Sequence, residues 1–245
     1  MVYRSACGGF AGFGVLAVLA LLAVEAAALE LQPKIYDIKL GTPVGKLPVA
    51  EWVDPACGTN GGPRGGFIQS FENFAKCPKE ADTGLHEIWF QYDDEDELAA
   101  RALRDPHMIG VYAANQLFNQ PIIMSLLVDD QGLVQGYRVF NDNRAPPAQR
   151  IDAHIMGRPM VGLSGLDEAS CSDIAPLPGE RPVYGVFEKR YCRGVVNGIR
   201  ATIESKLFLK PGQNLIDPVT QEPYPNAFES SARMELVVAA ALSHP

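Results

Sequence analysis

His86–Arg104, HEIWFQYDDEDELAARALR, changes its hydrophobic period in mid-course. Ile88, Phe90 and Tyr92 alternate with Glu87, Trp89 and Gln91, the two-residue repeat of a strand that turns one face to a core. Five acids follow, Asp93-Asp94-Glu95-Asp96-Glu97, and then Leu98, Ala99, Ala102 and Leu103 recur at helical spacing. Asp94 suits an N-cap, with Glu97 three residues on as its capping partner, and the acids favour the positive end of the helix dipole. The stretch predicts a strand, a sharp corner and a helix.

Towards the C-terminus, His107–Phe118 continues apolar as a second helical piece, and Pro121–Val128 (PIIMSLLV) is nearly continuously apolar, as a buried strand is. Asp129-Asp130-Gln131-Gly132 makes a tight turn and Leu133–Phe140 alternates behind it, which predicts a hairpin with Val134, Tyr137 and Val139 in the core. Towards the N-terminus, Lys34–Leu40 (KIYDIKL) alternates as a first strand. Pro55–Gly66 (PACGTNGGPRGG) is rich in glycine but carries neither GxxxxGK[ST] nor GxGxxG before a helix. It reads as a loop pinned by Cys57 rather than a phosphate cradle.

Asn141–Gln149 (NDNRAPPAQ) is a turn-rich boundary between an N-terminal α+β half, residues 29–143, and a strand-rich half, residues 150–245, which form either two domains or one. In the second half Arg150–Met160 suits a short helix, and Gly162–Gly179 is a polar loop. Pro182–Cys192 and Val195–Leu209 read as long strands about a corner near Asn197-Gly198, and Arg233–Leu242 closes the chain as strand or helix. The strands come as hairpins without regular helical crossovers. The fold class predicted is α+β: mostly antiparallel sheets with a few short helices, stapled by disulfides.

The first 28 residues carry the marks of a signal peptide. Arg4 gives a positive start, Phe10 to Val24 is apolar and uncharged, and Ala26-Ala27-Ala28 supplies small residues for cleavage. The apolar run is shorter than the roughly 20 residues of a membrane-spanning helix, so no span is expected after cleavage. The expected location is the periplasm or the extracellular space. Removing Cys7 leaves Cys57, Cys77, Cys171 and Cys192, an even number for an oxidising compartment. Pairing Cys57 with Cys77 and Cys171 with Cys192 closes two short loops, each contributing on the order of 3 kcal/mol in the chain-entropy picture. A zinc site is disfavoured, since no CxxC or HxxxH spacing occurs.

The net charge of −8 and the absence of a Lys/Arg cluster along the chain argue against a nucleic-acid partner. Calcium could be sought at Asp93, Asp94 and Asp96 or at Asp142, but no EF-hand glycine follows, and consecutive acids point in different directions. Helix capping and turn formation explain them more simply. No cofactor is expected. Ser164 lies in GLSGL, which does not keep the G-x-S-x-G spacing. The catalytic candidates reduce to His86, His154 and the acid Asp93, without a motif to join them. Glu188-Lys189-Arg190-Tyr191 is a charged and aromatic stretch suited to an interaction surface. The expectation is an exported, non-catalytic binding or accessory protein whose partner is another envelope protein. The alternatives are a hydrolase with a His/carboxylate pair and a calcium-dependent module. Peptide mapping without reduction should recover Cys57 linked to Cys77 and Cys171 to Cys192; a Cys57–Cys171 peptide would contradict that pairing.

Overall fold

The computed structural model describes residues 34–49, 52–145, 147–216, 219 and 228–242. The expected signal segment lies outside them. Nine strands build one antiparallel sheet: β1 (Trp52–Cys57), β2 (His86–Tyr92), β3 (Gln116–Leu117), β4 (Gln120–Val128), β5 (Val134–Asn141), β6 (Cys171–Asp173), β7 (Glu188–Val196), β8 (Ile199–Phe208) and β9 (Glu229–Val238). Their order is β1-β2-β4-β5-β9-β8-β7-β6, with the short β3 paired to β4. The last strand therefore enters the middle, between β5 and β8, and joins strands from the two sides of Asn141–Gln149 into one sheet.

The opening stretch folds largely as its periodicity dictates. Ile88, Phe90 and Tyr92 of β2 face the main core with Met124 and Leu126 of β4, Tyr137 and Val139 of β5, Met234 of β9 and Ile203 of β8. Trp52 stacks on Phe90 at a centroid distance of 4.4 Å and meets Phe71 and Tyr92 edge-on. Met156, the N-cap residue of helix α4 (Gly157–Ser164), and Met160 and Val161 within it cover the same core. The β4–β5 hairpin turns at Asp129–Gly132, and Val134, Tyr137 and Val139 are all buried, as the alternation predicts.

Several local expectations are corrected. Lys34–Leu40 is not a strand: Ile35–Asp37 is a 3₁₀ turn, because the two buried residues, Ile35 and Ile38, stand three apart rather than two. The helix α1 (Glu95–Leu103) starts after Asp94, but Asp94 makes no side-chain cap; Asp93 takes the Glu95 N–H at 3.0 Å instead. Glu97 is buried and turned to Arg101 and to Gln116, 3.0 Å away, so no capping box forms. Leu98 and Leu103 stay exposed while Ala100 is covered. Pro106–Tyr112 is helix α2, capped by Asp105, and the expected helix at Arg150–Met160 is broken into α3 (Pro147–Ile151), a 3₁₀ turn and α4. Strand β7 starts only at Glu188, since Val183 and Val186 bond to each other across a tight turn.

Both cysteine pairs are at bonding distance, Cys57–Cys77 at 2.07 Å and Cys171–Cys192 at 2.04 Å between sulfurs. The first ties β1 to the 3₁₀ segment Phe71–Lys76, and the second ties the edge strand β6 to β7.

At the β5–β9 seam Gly136 lies against the backbone of β9. A Cβ built on Gly136 would lie 2.3 Å from the Leu236 carbonyl oxygen, whereas one on Gly66 meets nothing within 4 Å. Gly136→Ala is expected to lower stability by about 1–3 kcal/mol by forcing the strands apart. Gly66→Ala should change it by less than about 0.5 kcal/mol. Urea unfolding of the two variants checks the contrast.

Candidate functional site

The second face of the sheet is polar where the first is apolar. One transverse row crosses it: Trp89 opposite Ser125, Ser125 opposite Arg138, Arg138 opposite Glu235, Glu235 opposite Thr202, and Thr202 opposite Arg193. Arg138 is 1% exposed and holds three carboxylates. Its Nε donates to Glu235 at 2.7 Å, and its Nη1 lies 3.2 Å from Glu87 and also binds Glu80. Arg200 and Arg233 each add a contact to Glu235 at 3.0 Å. Three cations and three carboxylates thus close a charge-balanced cluster. A buried guanidinium is tolerable only with such partners.

Glu87 connects this cluster to the glycine-rich loop. Its Oε1 accepts the Ser125 hydroxyl at 2.5 Å, and its Oε2 accepts the Asn60 N–H at 2.7 Å. Its main-chain oxygen accepts the Gly58 N–H at 2.8 Å. The loop glycines follow from this contact, because a Cβ on Gly58 would stand 2.2 Å from Glu87 Cγ, and one on Gly61 would stand 2.6 Å from the Phe140 ring. Burial pushes the Glu87 carboxyl above its ordinary range, Arg138 and Ser125 pull it down, and Glu80 pushes it up. Glu235 feels the same burial, but Arg138, Arg233 and Arg200 hold it below its ordinary value.

Beyond Asn60 the loop walls a cavity of about 340 Å³. Trp89 and Ile123 lie on the sheet side, Gly61 to Arg64 on the loop side, and Asp142, Asn143 and Arg144 at the end of β5. Arg64 lies over the Phe67 ring at 4.4 Å and the Trp89 ring at 5.2 Å, and reaches Asp54 at 3.2 Å. Arg144 grips Asp142 with two nitrogens and, against the upward push of burial, holds that carboxyl below its ordinary value. Both arginines are thus oriented at an apolar cavity rather than left to wander.

The residues singled out in the sequence are spread over the molecule. His86 is buried; its Nδ1–H donates to the Cys77 carbonyl at 2.6 Å, and its Nε2 lies 3.4 Å from Asp130, which also binds Lys79. Asp93 sits at the start of α1, and neither histidine approaches it among the described contacts. His154 donates through Nδ1 to the Ile151 carbonyl and presents Nε2 to Glu188 at 3.9 Å, beside a second cavity of about 380 Å³. The nearby Ser205 hydroxyl is buried and donates to Glu188, not to His154, so it is not set up as an activated nucleophile. Asp93, Asp94 and Asp96 precede or open α1, while Asp142, just after β5, is engaged by Arg144 two residues on. Among the described residues no three His, Cys, Asp or Glu side chains converge as metal ligands.

Strand alternation divides the stretch Glu188–Tyr191. Glu188 and Arg190 face the α4 side, where they meet His154 and Glu168. Lys189 and Tyr191 face the other way, and Lys189 is bound to Glu180 at 2.8 Å. Comparison with known protein families, with characterised proteins and with solved structures returned no match.

The folded pKa of Glu87 lies above its unfolded value of 4.5. The folded state therefore binds this proton more tightly, and the stabilisation it gives at low pH is lost as pH rises through the raised pKa. Arg138→Met removes the cation that opposes the shift. It is expected to cost about 3–5 kcal/mol near about pH 7.5, and less near about pH 5, where the stranded carboxylates take up protons. Urea unfolding at both pH values measures the difference; a loss equal at the two would mean that unpaired charge is not its cause.

Proposed function

We propose that the chain is an exported, non-catalytic binding protein that takes a small ligand in the cavity between the glycine-rich loop and the end of β5. The carrying observation is the pairing of an apolar surface, Trp89 and Ile123, with two arginines each oriented by an aspartate, Asp54 and Asp142. A flat apolar group fits against Trp89 and Ile123, and an acidic or hydrogen-bond-accepting group on the same ligand meets Arg64 or Arg144. The cavity volume of about 340 Å³ falls at the lower end of small-molecule sites. Export is supported by the two disulfides and by the sequence of the first 28 residues. Among the described residues no helix is long and apolar enough to cross a membrane. Non-catalytic action is supported by the fixed roles of the candidate histidines: His86 fastens a loop carbonyl, and the hydroxyl beside His154 belongs to Glu188.

Anilinonaphthalene sulfonate, a flat aromatic anion, is a suitable probe. Its fluorescence should rise on binding. Arg64→Ala should weaken binding by about tenfold. Ile123→Trp should abolish it by filling the cavity. Equal binding to both variants and the parent would overturn the assignment.

A further inference from the structure

Among the described residues the second face of the sheet is covered only in part. Leu85, Leu127 and Val237 form a small apolar cluster with Leu242 near one end, and the glycine-rich loop covers Phe140. At the other end Lys189 is held between Glu180 and the Phe208 ring. Between these lie β7, β8 and the outward side of β9, where Tyr191 stands opposite Glu204, which stands opposite Arg233, and Val195 stands opposite Arg200. Arg193 and Val195 are exposed, and Tyr191, Arg200, Thr202, Glu204, Lys206 and Arg233 are half-exposed.

The charge of this area opposes that of the chain. Among the described residues Arg193, Arg200, Lys206 and Arg233 face Glu204, which binds Lys206 at 2.7 Å, and the buried Glu235, in a protein of net charge −8. Arg193 makes no ion pair among the described residues. Arg200 and Arg233 spend one nitrogen each on Glu235, and the Nε of each is buried without a hydrogen-bond partner. These guanidinium groups are held in place from beneath by Glu235, and that of Arg233 also lies over the Phe140 ring at 5.1 Å. Arginine beside a half-exposed tyrosine is the composition of protein interfaces rather than of ordinary solvated sheet surface.

We propose that the face formed by Tyr191, Arg193, Arg200, Glu204, Lys206 and Arg233 docks an acidic polypeptide segment of a partner protein. Strands spaced about 4.8 Å apart make three strands a platform about 10 Å wide, the width of one extended chain with its side chains. The acids of the segment meet the three arginines, and its apolar residues meet Tyr191 and Val195. A long polyanion fits less well. Outside a Debye length of about 8–10 Å, a duplex or an anionic bilayer faces the repulsion of the whole acidic protein, while a short segment meets only the local patch. This surface is separate from the cavity proposed above and does not depend on it.

The test is fluorescence anisotropy of a short labelled peptide of alternating Glu and Tyr, titrated with the intact protein. Binding should weaken with added salt, and Arg193→Glu should weaken it by about tenfold. Lys46→Glu, the same charge change at an exposed residue outside this patch, should leave it unaltered. Glu204→Gln should tighten binding, which keeps the test decisive if Arg193→Glu proves unstable. Equal losses in the Arg193 and Lys46 variants, no peptide binding, or tighter binding of duplex DNA or phosphatidylserine vesicles would each overturn the proposal.

Discussion

A guanidinium buried at the centre of a sheet has to be answered by carboxylates, and the answer given to Arg138 organises the second face of this protein. Glu87 comes from β2, Glu235 from β9 and Glu80 from the loop before β2, so one side chain gathers groups from strands far apart in sequence. Such clusters stabilise little against an apolar replacement of the same shape, because desolvation offsets most of the Coulomb attraction. What they do impose is register. A one-residue slip of β9 against β5 would take Glu235 to the other face and leave Arg138 short of a partner.

The same cluster connects fold to site. Glu87 fastens Gly58 and Asn60, and the loop that continues from them walls the cavity in front of Trp89. On the other flank Glu235 holds Arg200 and Arg233 of the β7–β9 face. One buried network thus fastens the loop wall of a concave site and holds two arginines of a flat one, while Arg64 of the concave site is fixed locally by Asp54. The cation Arg144 lies outside it and is fixed locally by Asp142.

Much of the first face was legible in the sequence, and most of the second was not. Alternation in Ile88–Tyr92 and Leu133–Phe140, with the apolar run Pro121–Val128 between them, is enough to place three strands and their core side. Short pairing distances were enough for the two disulfides. Arg138 and Glu87 look like solvent-facing residues of half-buried strands when each strand is read alone. The run PIIMSLLV held the missing signal: a strand apolar on both faces is covered on both, and its neighbours' polar residues on the second face are then buried with it. Where β9 inserts is a long-range choice that local periodicity does not encode. KIYDIKL misled because its apolar and polar residues nearly alternate, while the pair that is buried, Ile35 and Ile38, keeps the three-residue spacing of a 3₁₀ turn.

Hydrogen exchange under native conditions, followed amide by amide as denaturant is added, tests the central place of the β5–β9 seam most directly. Amides of β2, β4 and β5 on one side and of β9 and β8 on the other should share the slowest rates and open in a single step, since the Arg138 cluster and the core both cross the seam. Earlier, independent opening of β7, β8 and β9, with β2, β4 and β5 still protected, would contradict it. The chain would then behave as two units that meet at an interface, with the buried charges serving only to join them.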